Sequence, residues 1–302
     1  MNKSDSLKLT AYITKIITEQ APFIDKSDEE ISNAEKYYSE DDLSYFKENR
    51  LYDGNFRKFF ILKSFCDKYK IWDAADVSFL AELFSNAKVY SSDDFCRDDY
   101  LQNIKITPAA LKNNLLMNVC YEKNEIFQYD MPDLYREQVV PKLAFFDKKT
   151  YFPSVYEGNI PWVSVCPSEI NSMSRQIEQA NGRCLVLGLG LGYYPYMISR
   201  KKNVKTITIV EINEDIIKLF EKFILPQFDC KEKIKIVHGD AVKYVEEMSR
   251  DEFDFCFADI WEGQQDGAEA YLKIKPCEAR NPYTVFTYWI EDQIRWYIEN
   301  IL

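Results

Sequence analysis

The sequence predicts an α/β fold in which a mainly helical N-terminal domain and short β-hairpins precede a parallel sheet with helices on both faces. Two observations carry this prediction. From Arg183 onward, short apolar runs alternate with amphipathic stretches of helical period. Before residue 113, apolar residues recur at helical spacing. Strands that alternate with helices along a chain form parallel sheets through right-handed crossovers.

Residues 1–112 are predicted to form the helical N-terminal domain. Leu7 to Ile17 places apolar residues on one helical face, and Ser27 to Glu30 has the pattern of a capping box. Phe56 to Cys66 and Asp76 to Phe84 continue the helical spacing. No catalytic motif falls here, so we interpret the region as a helical cap or as an element through which a homodimer forms.

Residues 113–165 are predicted to be β-hairpins that lead into the second domain, 113–302. Leu115 to Tyr121 and Glu125 to Tyr129 are short β-like runs, and Tyr151 to Val165 contains a turn at residues 157–159. Only five strands are predicted after Arg183. Either the parallel sheet is short or the hairpins fill its open edge, and our hypothesis is the second.

The second domain is predicted to contain five strands, each followed by a helix. A further helix, Ser168 to Ala180, comes before the first strand. The predicted strands are Cys184–Leu187, Thr206–Glu211, Lys233–His238, Phe253–Ala258 and Tyr283–Tyr288. Ligands bind such sheets at the carboxyl ends of the strands, where the strand order reverses.

A glycine-rich loop and three carboxylates follow successive predicted strands. Gly188, Gly190 and Gly192 lie between the first strand and its helix, where glycine permits a tight turn and close approach of a ligand. Glu211 ends the second strand and can accept hydrogen bonds from ribose hydroxyls. Asp240 follows the third strand, where it contacts an adenine amino group or only caps the next helix.

Asp259 ends the fourth strand. The placement of these groups on neighbouring strands predicts that Gly190, Glu211 and Asp240 border one cavity of nucleoside size.

From about Ser168 to Leu302 the chain resembles the class I S-adenosylmethionine-dependent methyltransferase domain, which has a Rossmann-like fold. The resemblance implies that S-adenosylmethionine is the cofactor and that the glycine loop passes under its methionine portion. It implies that Glu211 and its neighbour Ile212 hold the ribose, and that Asp240 and Ala241 contact the adenine. Residues 259–261 would face the methyl group.

Spermidine synthase-like aminopropyltransferases share this fold and also carry an aspartate at the fourth strand tip. The chain departs from many methyltransferases at Val186, where an acid is common. Asp259 to Glu262 reads Asp-Ile-Trp-Glu in place of the Asn-Pro-Pro-Tyr motif of enzymes that methylate bases or amides.

The resemblance predicts a methyltransferase that acts on a small acceptor, with an aminopropyltransferase as the alternative. Asp259 is the candidate catalytic carboxylate, because it can accept a proton from an amine or orient it. Trp261 and Tyr193 are candidate substrate-binding residues on an aromatic wall. Glu262 is a candidate for holding a cationic tail, or it belongs to a solvated acidic loop.

Two other classes of function stay open. A dehydrogenase is disfavoured because the loop reads GxGxG followed by Tyr193, and because the single histidine, His238, precedes Gly239 at a strand end. A non-catalytic cofactor-binding or interaction protein is the other possibility, given Val186 and the absent sixth and seventh strands.

The amino-acid composition makes some classes of binding partner less expected than others. The net charge of −11 disfavours nucleic acid and suits a small or cationic substrate. One histidine and scattered cysteines make a metal site unexpected. The eight cysteines have no CxxC pair and are expected to be reduced thiols in a cytoplasmic protein. The N-terminal residues are polar, so we expect no secretory signal. The sequence has no apolar run of ~18 residues, so we expect no membrane span.

Overall fold

The computed structural model describes residues 24, 26–91, 93–95, 97–135, 138–158 and 160–302. The chain divides into two compact units, Met1–Phe95 with Cys120–Tyr151 and Cys96–Val119 with Phe152–Leu302. The domain boundary predicted at residue 112 stays a prediction. The predicted apolar face from Leu7 to Ile17 lies outside the described residues.

Both kinds of element are distributed along the whole described chain. The helices are α1 (Asp28–Ser32), α2 (Glu40–Glu48), α3 (Phe56–Tyr69), α4 (Ala74–Ser85), α5 (Asp99–Asn103), α6 (Pro167–Gln179), α7 (Tyr193–Ser199), α8 (Glu214–Leu219), α9 (Ala241–Glu247), α10 (Gln264–Ile274) and α11 (Glu291–Asn300). The strands are β1 (Lys88–Tyr90), β2 (Ala109–Leu111), β3 (Asn114–Tyr121), β4 (Phe127–Tyr135), β5 (Gln138–Phe146), β6 (Thr150–Glu157), β7 (Ile160–Ser164), β8 (Gly182–Leu187), β9 (Val204–Glu211), β10 (Ile234–His238), β11 (Phe255–Ala258) and β12 (Val285–Tyr288).

Three helices of the first unit, α1, α3 and α4, lie where the sequence predicts helical segments. Ser27 and Glu30 form the predicted capping box, with the Ser27 N–H donating to the Glu30 carboxylate at 2.8 Å. Asn55 caps α3 and Asp73 caps α4. Aromatic side chains of α3 supply much of the buried core, which also includes Phe145 of β5. β1, β5 and β4 form a three-stranded sheet in that order.

The second unit contains a five-stranded sheet in the order β10-β9-β8-β11-β12, with every pair parallel. The sheet confirms the predicted α/β fold. β11 is buried along its whole length and β8 over its last four residues, as expected for strands covered on both faces. After β8 the chain continues to β9 on one side and later to β11 on the other. The order therefore reverses beside the carboxyl end of β8, where such sheets bind ligands.

The hypothesis that the hairpins of residues 113–165 complete the parallel sheet is wrong. β3, β6 and β7 form a separate four-stranded sheet with β2, and β5 pairs with both β1 and β4. β6 and β7 pair antiparallel across a short turn, which satisfies their backbone groups locally. β12 is consequently an edge strand of the parallel sheet. No helix of the described chain has the length and apolar character needed to cross a membrane.

Candidate functional site

A cavity of about 510 Å³ lies at the carboxyl ends of the parallel strands. Gly190, Glu211 and Asp240 all border it, as do Asp259 and Trp261. Among the other predicted site residues, Gly188, Tyr193, Ile212, Ala241 and Glu262 also line it. The fold thus gathers these residues in one place, and their contacts with a ligand stay predictions.

The glycine loop has a backbone that other residues cannot adopt without strain. Gly188 has φ 95°, and a Cβ atom there would lie 2.0 Å from the carbonyl oxygen of Asp259. Gly192 has φ 74°, and a Cβ atom there would lie 2.3 Å from the ring of Phe220. Gly192 is not among the described residues that line the cavity, so its visible role is to let α7 pack against Phe220. Its predicted contact with a cofactor stays a prediction.

Glu211 fastens the glycine loop to the end of β9. Its Oε2 accepts a hydrogen bond from the backbone N–H of Leu189 at 3.0 Å, and its Oε1 accepts one from Asn213 at 2.7 Å. A carboxylate has about four acceptor positions, so two remain for ligand hydroxyl groups. Ile212, beside it, is 67% exposed and covers the rim of the cavity.

Asp240 caps α9. Its Oδ1 accepts a hydrogen bond from the Lys243 N–H at 2.9 Å. The residue is exposed at the cavity, and the neighbouring Ala241 is buried. The helix-cap interpretation of Asp240 is therefore correct, and its position at the cavity leaves the adenine contact open as well.

Two half-buried carboxyl groups line the cavity in addition to Glu211. Asp259 follows β11, and Glu169 comes from the first turn of α6. Burial raises the pKa of Glu169 to about 7. Burial, followed by the charge of Glu169, holds the pKa of Asp259 well above its usual range. In the part of the chain that the structure describes, neither carboxyl group has a hydrogen-bond donor or a cationic partner.

Glu169 is not among the residues predicted from the sequence to line the site. An acid in the first turn of a helix is usually explained by the helix dipole. This one lines the cavity because α6 packs against α7, whose Tyr194 hydroxyl donates to the backbone carbonyl of Gln176 at 3.2 Å.

Aromatic side chains cover the remaining wall. Trp261 is only 8% exposed and stacks on Tyr288, with 6.5 Å between ring centroids. The Tyr193 hydroxyl donates to Asp98 at 3.0 Å. Trp162 and Trp289 also line the cavity.

α5 supports the glycine loop from a distant part of the sequence. The hydroxyl of Tyr100 is buried and donates to the backbone carbonyl of Leu191 at 2.6 Å. Asp98, which precedes this helix, accepts the hydrogen bond from Tyr193. These residues belong to a region in which the sequence shows no functional motif.

The cavity has a one-sided charge. Five of its described lining residues carry carboxyl groups, and none is a lysine, arginine or histidine. The acidic residues are Glu169, Glu211, Asp240, Asp259 and Glu262. His238 lies elsewhere, with its Nε2 3.0 Å from the carbonyl oxygen of Ile212. A buried or half-buried carboxylate without a partner is costly, so this lining favours a cationic ligand.

Residues 168–273 match the Spermine/spermidine synthase domain. The match begins at α6 and ends within α10, and it includes every predicted site residue. No curated protein matches the chain.

Several solved structures are similar to parts of it. Spermidine synthase from Thermotoga maritima is 14% identical, with a TM-score of 0.34 over 63% of this chain and 60% of that one. A conserved hypothetical protein of Streptococcus pyogenes is 13% identical, with a TM-score of 0.29 over 35% of this chain and 65% of that one. A spermidine synthase in complex with the transition-state analogue AdoDATO is 15% identical, with a TM-score of 0.32 over 57% of this chain and 52% of that one. The chain thus spans between about half and two thirds of the length of these structures.

Proposed function

We propose that this protein transfers an aminopropyl group from decarboxylated S-adenosylmethionine to a small amine. The observation that carries the proposal is the cavity lining, which combines a nucleoside-type loop with five carboxyl groups and no cationic side chain among the described lining residues. The match of residues 168–273 to the Spermine/spermidine synthase domain supports it.

The charges of three adenosine-containing ligands predict how well each would fit this acidic cavity. Decarboxylated S-adenosylmethionine carries a sulfonium and an ammonium group and no anion. S-adenosylmethionine adds a carboxylate, which Glu169 and Asp259 would repel. NAD brings a pyrophosphate into the same acidic surroundings. Since the site is half-buried, these differences are screened less than they would be in water. The cavity therefore favours the decarboxylated compound.

Each part of the site has a task in this reaction. The glycine loop and Glu211 hold the nucleoside, and Asp240 lies where an adenine edge would reach. Asp259 accepts a proton from the incoming ammonium group or orients the resulting amine. Trp261 and Tyr193 exclude water and favour cationic groups through their ring faces. The remaining contribution is the alignment of the two reactants.

The chemistry is a single displacement. The lone pair of the neutral amine forms a bond to the aminopropyl carbon attached to sulfur. The bond between that carbon and sulfur breaks, and its electron pair stays on sulfur, so that 5′-methylthioadenosine leaves. The positive charge passes from sulfur to nitrogen, and the proton lost before attack goes to the carboxylate.

Methyl transfer from S-adenosylmethionine is the second candidate. The arrangement of Gly190, Glu211 and Asp240 favours any adenosine-type donor, and it does not by itself select the transferred group. A protein that binds such a donor without catalysis has the same nucleoside half. The part of the cavity that separates these candidates is the pair of carboxyl groups of Glu169 and Asp259.

A ligand panel tests the proposal. Thermal shifts would be measured with 5′-methylthioadenosine, decarboxylated S-adenosylmethionine, S-adenosylhomocysteine and NAD. A ligand at 100 times its dissociation constant stabilises the folded state by about 2.7 kcal/mol. We expect the first two to stabilise the protein, and mass spectrometry to detect an aminopropylated product with a mixture of small amines. Stabilisation by S-adenosylhomocysteine alone would favour methyl transfer, and stabilisation by NAD alone would contradict both.

A further inference from the structure

We propose that Glu169 is a specificity residue of this cavity and that, together with Asp259, it binds a primary ammonium group of the ligand. The inference deepens the proposed function and rests on it for the identity of the ligand.

The position of Glu169 is the first step. It lies in the first turn of α6, 19 residues before Gly188, and lines the same cavity as the glycine loop. Asp259 reaches that cavity from the end of β11, the strand beside β8. The nucleoside-side carboxylates, Glu211 and Asp240, follow β9 and β10 on the other side of β8. Asp259 therefore lies across β8 from Glu211 and Asp240, and Glu169 is near enough for its charge to act on Asp259.

Glu169 and Asp259 differ from the other acids at the cavity in how their charge is compensated. Each of the other three acids at the cavity has compensation that this pair lacks. Glu211 accepts two backbone hydrogen bonds, Asp240 caps α9, and Glu262 is exposed to water. Glu169 and Asp259 are half-buried and have no side-chain hydrogen bond or ion pair within the described chain. Burial raises the pKa of both carboxyl groups, and the charge of Glu169 raises the pKa of Asp259 further.

A primary ammonium group relieves both problems. It supplies three donors and one positive charge, which is what two neighbouring acceptor groups need. The aromatic wall formed by Trp261 and Tyr193 adds attraction for a cation and keeps competing water out. The ammonium group belongs either to the aminopropyl donor or to the amine acceptor, and the chemistry of recognition is the same for both.

Calorimetric titrations separate these sources. The wild type, Glu169→Gln and Glu178→Gln would be titrated with 5′-methylthioadenosine, with decarboxylated S-adenosylmethionine, and with 1,4-diaminobutane after saturation by 5′-methylthioadenosine. Glu178 is the matched control, because it is an exposed glutamate on the same helix. Circular dichroism would check that each variant is folded.

We expect Glu169→Gln to weaken binding of at least one ammonium-bearing probe by tenfold or more. Its affinity for 5′-methylthioadenosine should stay within twofold of the wild type, and Glu178→Gln should resemble the wild type throughout. Loss confined to the donor assigns the ammonium group to the donor, and loss confined to 1,4-diaminobutane assigns it to the acceptor. An equal loss for all three probes, or no loss for any, would overturn the proposal.

The proposed function can fail separately. If the wild type binds neither nucleoside, the aminopropyltransferase proposal is wrong. The carboxylate pair is then tested by titrating 1,4-diaminobutane into the ligand-free protein at low ionic strength. Binding that Glu169→Gln weakens tenfold would support the ammonium subsite, whereas absent or unchanged binding would refute it.

Discussion

The side chain of Glu211 accepts a 3.0 Å hydrogen bond from the backbone N–H of Leu189, in the middle of the glycine loop. The same carboxylate accepts a second backbone hydrogen bond from Asn213. Glu211, which is predicted to contact a ribose, thus also links the loop after β8 to the end of β9. Its substitution should affect both the loop and the ligand.

Glu211→Ala should lower the free energy of unfolding and abolish nucleoside binding together. The alanine leaves two backbone N–H groups without their acceptor, and each such loss costs about 1–3 kcal/mol when the group is buried. Glu211→Gln keeps one acceptor oxygen and should lose less of both. Chemical denaturation and titration with 5′-methylthioadenosine measure the two effects. Unchanged nucleoside affinity in Glu211→Ala would remove this residue from the binding site.

Gly188→Ala should disrupt the site by displacing the end of β11. The new Cβ atom would lie 2.0 Å from the carbonyl oxygen of Asp259. Gly54→Ala is the matched control, because Gly54 has φ 97° against 95° for Gly188 and a Cβ atom there would meet no other atom within 4 Å. Both variants place alanine at nearly the same positive φ, so their difference reports mainly the steric clash. We expect Gly188→Ala to be less stable than Gly54→Ala by about 1–3 kcal/mol in denaturant titrations. Equal stabilities would contradict the close approach.

Asp259→Asn should slow turnover while leaving nucleoside binding intact. The amide keeps the shape of the side chain but cannot accept a proton, and a positioned general base contributes about 10²–10⁴-fold to a rate. Single-turnover assays with the donor and amine identified by the ligand panel would give the rate. Titration with 5′-methylthioadenosine would give the affinity, which we expect within threefold of the wild type. Normal turnover in this variant would exclude Asp259 as the proton acceptor.

The stability of the ligand-free protein should depend on Glu169 between about pH 4.5 and 7. Burial raises the pKa of Glu169 from 4.5 to about 7 in the folded state. The folded state therefore keeps its proton to higher pH than the unfolded chain does. The stabilisation that comes from protonated Glu169 is fully present below its pKa in the unfolded chain. It is lost as the pH rises through its pKa in the folded state.

Glu169→Gln carries no charge at any pH, so it should avoid that loss. At pH 8 we expect the variant to be more stable than the wild type by about 1–2 kcal/mol, allowing for partial exposure of the side chain. The gain should disappear as the pH falls to about 4.5. Thermal unfolding across this range, with Glu178→Gln for comparison, measures it. A gain that does not vary with pH would mean that the Glu169 charge is not its cause.

The arrangement of the parallel sheet was largely predictable, because its signals are local. The last four residues of β8 and all of β11 are apolar runs followed by glycine or aspartate, and amphipathic helices separate the strands. Parallel strands place their carboxyl ends on one edge, so Gly190, Glu211 and Asp240 could be predicted to meet. The cavity that they border agrees with this reasoning.

The partners of the hairpins could not be predicted in the same way. The alternating runs of β3, β6 and β7 reveal strands, but an edge strand offers the same unpaired N–H and C=O groups to any neighbour. The choice between the open edge at β12 and a separate sheet depends on tertiary packing. The sequence contains no local signal for that choice.

The supporting residues were missed because they act across long sequence separations. Tyr100 bonds to Leu191 over 91 positions, and Tyr193 to Asp98 over 95. Glu169 reaches the cavity only through the orientation of α6. Each of these side chains has an ordinary local explanation, such as a buried aromatic, a helix cap or an acid in a first turn.

The order in which the two units can be completed follows from how the chain runs between them. Every residue of the first unit precedes Phe152, whereas the second unit combines Cys96–Val119 with everything from Phe152 onward. During synthesis the first unit is whole before β8 has left the ribosome. Residues 96–119, which include Tyr100, belong to the second unit. They cannot pack in it until the residues from Phe152 onward, about half of the chain, have emerged. A ribosome stalled near residue 190 should therefore display a protease-resistant first unit and a still cleavable α5.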